Sequence, residues 1–225
     1  MPKPRPRHPG HDRAGQHRTR PAAEADAKTR ILDAAAEAFM THGFFGTTID
    51  AIADEVGATK GLIYYHFRSK FDIFLAAYEE GMRRARAQVE PHAQLSGNGY
   101  ERLVAMSNAH VVNLMTDLGY HHVVHQGVRE QSYAALKPRQ REALARLNEL
   151  RHNYERLFQT VLTEGTVDGS LRPVEPRLAA RTLLSSLNAV DIWYHPGRRQ
   201  SDTDIAALAE SIVDLIVNGL AGATH

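Results

Sequence analysis

Apolar residues recur at helical spacing from about residue 25 to the end of the chain, and no stretch alternates with the period of two that marks a strand. Residues 25–42 carry Ile31, Ala35, Ala38 and Phe39 on one face and end at Gly43. Ile49, Ile52, Ala53 and Val56 make a short amphipathic helix, which Gly57 ends by taking the left-handed conformation. Thr59 caps a second short helix whose Leu62, Ile63 and Phe67 point back to the first. Ser69 with Asp72 forms a capping box for a longer helix striped with Phe71, Phe74, Leu75, Tyr78 and Met82, running to Glu90 and stopped by Pro91. Further helices are predicted over 100–117, 119–134 and 138–164, the last ending at Gly165. One over 175–194 is apolar on most sides through Leu178, Leu183, Leu184, Leu187, Val190, Ile192 and Trp193, so it needs partners on nearly every face. The last, over 202–220, aligns Ile205, Ala209, Ile212, Ile216 and Leu220. The predicted fold class is all-α.

Composition narrows this picture. A chain of 225 residues can bury a substantial core in one or two domains. It has no run of about 18 apolar residues, so no membrane span is expected. The absence of cysteine excludes disulfide and thiol chemistry and fits a cytoplasmic protein. The net charge of +1 hides an uneven distribution: residues 1–23 sum to +5 and the other 202 to −4. With five prolines and few large apolar residues, this basic arm is expected to stay unpacked when free. Two readings of it stand level: it neutralises DNA phosphates, or it serves as a solubilising tail.

The two short helices around Gly57 form a helix-turn-helix unit, with the second helix placed to enter a major groove. Its outward residues would be Lys60, Gly61, Tyr64, Tyr65 and His66. The stretch from Lys28 to Tyr78 resembles the DNA-binding domain of the TetR family of transcriptional repressors. The resemblance rests on Ile31 to Ala35 with Phe39 and Gly43, Thr47-Thr48-Ile49, Val56 to Gly61, Tyr64 to Phe67, and Ser69-Lys70. It implies that Thr47 or Thr48 and Lys70 meet phosphates. It places Lys60, Gly61, Tyr65 and His66 near base edges and counts Thr59 and Tyr64 among the DNA-binding residues.

In the remainder, several polar residues occupy positions where the period asks for apolar ones. Arg151 lies in line with Leu147, Tyr154, Phe158 and Val161, His110 continues the line of Leu103 and Met106, and Asn188 lies one turn from Leu184. A charge on a core stripe is costly unless paired or solvated. Arg151 therefore either forms a salt bridge, with Asp117 or Asp191 as partner, or binds an anion or carbonyl in a cavity between helices. His121 and His125 share a face at i,i+4. That spacing suits metal, but no Glu accompanies it in a catalytic arrangement, and no metal is assigned. A pocket role or an exposed histidine face accounts for the cluster better. No nucleophile elbow, Gly-rich phosphate loop or zinc-hydrolase motif is present, so no enzyme and no cofactor are expected.

The run Trp193-Tyr194-His195-Pro196-Gly197, with Asn218-Gly219-Leu220 beyond it, resembles the ends of TetR-type regulators that sense acyl-CoA thioesters. That resemblance implies an effector cavity drawing on Met106, His110, His121, His125, Arg129, Arg151, Tyr154, Leu184, Asn188 and Trp193. The expected organisation is an arm over 1–24, a helix-turn-helix DNA-binding domain over 25–72, and an effector-binding and dimerisation bundle over 73–225. The helix from Ser69 is shared by the last two. The expected partners are operator DNA, a small-molecule effector and a second copy of the chain, docked through Leu183, Leu187, Ile212 and Ile216. The rival readings are an effector-independent regulator and a helical small-molecule carrier.

Overall fold

A computed structural model of the chain describes residues 20–129, 137–197 and 200–219, without the side chains of 20–23 and 126–129. Most of the basic arm expected over 1–24 lies outside these residues. Helix α1 (Arg20–Gly46) is longer than the predicted 25–42, because the chain turns at Gly43, with φ 69°, and then completes one more turn. The short α2 (Ile49–Glu55) and α3 (Lys60–His66) follow. Both open on the local chemistry read from the sequence: Thr48 accepts from the Ala51 N–H and Thr59 from the Leu62 N–H. Gly57, at φ 62°, makes the turn between them. Ile52, Ile63 and Phe39 are fully buried where α1, α2 and α3 meet, each worth roughly 1.5–3 kcal/mol. Leu62 departs from the prediction. It is 37% exposed, because Ile63 and Phe67 already fill the contact with α2.

Helix α4 (Lys70–Ala93) is capped by Ser69 and Asp72 as predicted. It passes Pro91 and ends at Gln94, since a proline in the last turn removes one bond without ending the turn. It packs on α1 at one end and against α5 (Gly99–Thr116), α6 (Leu118–Arg129) and α7 (Pro138–Val167) along the rest. Helix α5 starts from a capping box of Asn98 and Glu101. Helix α7 runs past Gly165, which does not end it but lets α5 approach: a Cβ on Gly99 would lie 2.2 Å from the Gly165 Cα.

The predicted single helix over 175–194 divides at Ala189 into α8 (Pro176–Asn188) and α9 (Val190–Trp193). Helix α10 (Asp202–Asn218) completes the order, and no strand occurs among the described residues. A second apolar cluster joins α5, α8, α9 and α10 through Val111, Leu114, Leu187, Val190, Tyr194, Ala209 and Val213. The near-complete burial expected for residues 175–194 does not hold within one chain. Leu178, Ile192 and Trp193 are 65%, 69% and 53% exposed, and Leu215 on α10 is 52% exposed. Leu187, expected to meet a second copy, is instead buried in its own chain, and Leu183, Ile212 and Ile216 pack partly against that same cluster.

Candidate functional site

Two sites stand out, one on the helix-turn-helix and one inside the bundle. On α3 the exposed residues are Lys60, Gly61, Leu62, Tyr64 and Tyr65, with His66 half-buried edge-on to Tyr65. This face presents phenol hydroxyls and a backbone unshielded by a side chain at Gly61. Its one Lys or Arg, Lys60, is paired with Asp50 on α2 at 2.8 Å, and that ion pair raises the Lys60 pKa. Thr48 and Thr59 are exposed and act as helix caps.

Thr47, offered as an alternative to Thr48 for a phosphate contact, and Lys70 both have partners within the chain. Thr47 is 1% exposed, with Oγ1 2.8 and 2.9 Å from the carbonyl oxygens of Gly43 and Ala38, so its hydroxyl closes the end of α1. Lys70 donates from Nζ to the carbonyls of Phe44 at 2.6 Å and Thr47 at 2.7 Å, and lies over the Phe44 ring. Its ammonium satisfies carbonyls that the turn at Gly43 leaves without amide partners. Burial lowers its pKa.

In the bundle, α4, α5, α6, α7, α8 and α9 line a cavity of about 540 Å³. Of the predicted effector residues, His110, His121, His125, Arg151, Tyr154, Leu184 and Asn188 all line it. Met106 is fully buried in the core behind it, and Trp193 points outward. Arg129 closes α6, but its side chain lies outside the described residues. The polar wall also contains Glu155, Arg181, Ser185 and Asp191, which the sequence reading did not assign to the pocket.

The cavity's polar groups are arranged in order. His110 Nδ1 is 2.7 Å from the Tyr154 hydroxyl and its Nε2 3.0 Å from Asn188 Oδ1. With Asn188 accepting from Nε2–H, Nδ1 accepts from Tyr154. Burial lowers the His110 pKa to about 4, against the opposing pull of Asn188, so the ring is neutral. Burial raises that of Tyr154. Burial and the neighbouring His110 and His125 likewise keep His121 neutral.

The carboxylates named as salt-bridge partners for Arg151 are taken: Asp191 by His125, and Asp117 by Arg84 at 3.1 Å. Glu155, 6% exposed, accepts from Arg181 at 3.1 Å and from Gln159 at 2.9 Å. Arg151 is left with a distant contact to His152 at 3.4 Å and a buried Nε that has no hydrogen-bond partner. Among the described residues no group of three side chains is placed to hold a metal ion. His121 and His125 spend their described contacts on Asn113 and Asp191.

A polar chain runs from this cavity to α1. His121 Nε2–H donates to Asn113 Oδ1 at 3.1 Å, Asn113 donates to Asp117 at 3.0 Å, and Arg84 joins Asp117 to Asp33 at 2.9 Å. Tyr120 donates to the same Asp33 oxygen at 2.8 Å while its ring lies under the Arg84 guanidinium. Burial opposes the Arg84 charge, but Glu80, Tyr120, Asp117 and Asp33 outweigh it and raise its pKa. Asp33 belongs to α1, whose other turns hold α2 in place, one through Arg30 donating to the Val56 carbonyl at 2.7 Å.

Known proteins share this fold. Residues 31–77 match the family described as bacterial regulatory proteins, tetR family, and residues 96–220 match the tetracyclin repressor-like C-terminal domain. The fatty acid metabolism regulator protein of Bacillus subtilis (strain 168) is 25% identical over 193 residues, covering 85% of this chain and 94% of that protein. The HTH-type transcriptional repressor KstR2 of Rhodococcus jostii (strain RHA1) is 27% identical over 215 residues, covering 89% and 94%. The crystal structure of AibR in complex with isovaleryl coenzyme A and operator DNA superposes with a TM-score of 0.66 at 26% identity, covering 84% of this chain and 97% of that one.

Proposed function

The chain belongs to the TetR family of transcription regulators, and from that membership we propose that it is a cytoplasmic, homodimeric repressor released from its operator by an acyl- or aryl-CoA thioester. The observation that carries this reading is the cavity: set between six helices, lined by apolar side chains and hydrogen-bonding groups, and holding an arginine without a carboxylate partner among the described residues. Such a site suits a ligand that is part apolar and part oxygen-rich. The isovaleryl coenzyme A bound by AibR has that character.

On the DNA side, Tyr64, Tyr65, His66, Lys60 and the Gly61 backbone face the bases, while Thr48 and Thr59 lie near phosphates. Thr47 and Lys70 hold the unit's shape without touching DNA. Coupling runs through the chain from His121 to Asp33: a ligand that moves α6 pulls on Asn113, Asp117 and Arg84, and so tilts α1 and the reading unit it carries. Effects of this kind amount to about 1–3 kcal/mol.

The test is an anisotropy titration of the protein on DNA flanking its own gene, followed by a panel of CoA thioesters and the matching free acids. The reading expects tight operator binding without ligand and release by thioesters alone. Release by free acids equally well removes the CoA part of the proposal. A protein that binds thioesters but no DNA is a carrier.

A further inference from the structure

Resting on the thioester reading, we infer that the acyl group this cavity accepts ends in a carboxylate, so that the effector is a dicarboxylic acid monothioester rather than a plain saturated acyl-CoA. The argument begins with the charges of the wall. Glu155 is held by Arg181 and Gln159, and Asp191 by His125. Arg151 remains, with its Nε fully buried, unbonded, and no carboxylate of the described residues within ion-pair distance. A buried guanidinium N–H with nothing to donate to is costly, and a planar carboxylate or a phosphate is the group whose geometry matches it.

Charge balance decides between the two. The CoA nucleotide carries several negative charges, and a cavity that received it would need several cations left over. Among the described wall residues Arg181 has Glu155 and Asp191 has His125, while Arg151 has no carboxylate partner, so the wall offers one guanidinium to one anionic group. The nucleotide therefore stays outside the cavity, and the counter-ion of Arg151 arrives on the acyl end. The rest of the lining agrees. The wall mixes Met82, Val124 and Leu184 with His110, Tyr154, Asn188 and Ser185, which suits an acyl chain that carries a polar group. Asn188 Oδ1 is engaged by His110, which leaves its amide N–H groups to donate to a ligand oxygen. A site whose donors are satisfied only by the right ligand rejects the analogue lacking that group strongly.

The experiment is direct calorimetric binding to the full-length protein, using matched pairs: butyryl-CoA against succinyl-CoA, hexanoyl-CoA against adipoyl-CoA, and octanoyl-CoA against suberyl-CoA. At least one dicarboxylic member is expected to bind about tenfold or more tighter than its saturated partner. In Arg151→Gln that preference should vanish, each dicarboxylic member binding no tighter than its saturated partner. Ligand-free operator binding serves as the check that the variant is folded. Equal or tighter binding of the saturated member in every pair overturns the inference and leaves the thioester reading standing, as does a preference that survives in Arg151→Gln. Absence of binding by any thioester overturns both.

Discussion

Lys70 is a residue whose chemistry misleads when read apart from its surroundings. An ammonium at the start of a helix beside a DNA-reading unit suggests a phosphate contact, yet its Nζ is spent on the carbonyls of Phe44 and Thr47. Lys70→Met should therefore lower folding stability by about 1–3 kcal/mol in urea titrations, with operator affinity falling only as the unit loosens. Lys60→Ala should leave the melting transition in place and weaken operator binding directly. The reverse pattern would return Lys70 to the phosphates. His110 gives a second residue-level expectation. Its folded pKa of about 4 lies below the unfolded value of 6.5, so the unfolded chain binds the extra proton first. Its contribution is complete above pH 6.5 and is lost as pH falls towards 4, up to about 3 kcal/mol, with His121 acting in the same direction. His110→Gln should flatten the stability profile between those limits. Parallel profiles for variant and wild type would rule that contribution out.

Among the elements, the chain of bonds from α6 to α1 is where cavity and reading unit meet. Asp33→Asn weakens its α1 end at a half-exposed position far from the cavity wall. Thioester affinity of the DNA-free protein should stay unchanged, while the ratio of operator affinities with and without ligand shrinks about fivefold. An unchanged ratio would mean that the signal travels by packing alone. The elements also show what was legible beforehand. The caps at Thr59 and Ser69 and the turn at Gly57 depend on three or four consecutive residues, so they could be read directly. His110, Arg151 and Asn188 stood out because a polar group on an apolar stripe must answer to something. Met106 and Trp193 gave no such sign, since an apolar residue looks the same whether it faces core, cavity or another chain. The Thr47 contacts depend on the chain reversal at Gly43 and those of Lys70 join distant parts of the chain, and the Glu155–Arg181 pair resembles any surface ion pair until α7 and α8 are packed together.

At the level of the whole molecule, the apolar surface left bare by α8, α9 and α10 is the part of the fold that one chain does not complete. Leu178, Trp193 and Leu215 are each more than half exposed, and such side chains on the closing helices mark a surface for a second copy. The double variant Leu178→Glu/Leu215→Glu should sediment as a monomer at micromolar concentration. Its operator affinity should drop by on the order of a hundredfold, because two reading units no longer bind as one. A variant that remains dimeric with full operator affinity would place the interface elsewhere.

The ion pair between Lys60 and Asp50 bears on how such a protein finds its operator among the rest of a chromosome. The recognition helix has one Lys or Arg, and in the free protein that charge is already answered from within the chain. Attraction to arbitrary phosphates is the term that lets regulators slide along DNA and lodge on wrong sites, and here this helix adds little to it. That attraction must then come from groups outside the recognition helix, the basic residues over 1–23 being the largest such concentration in the chain.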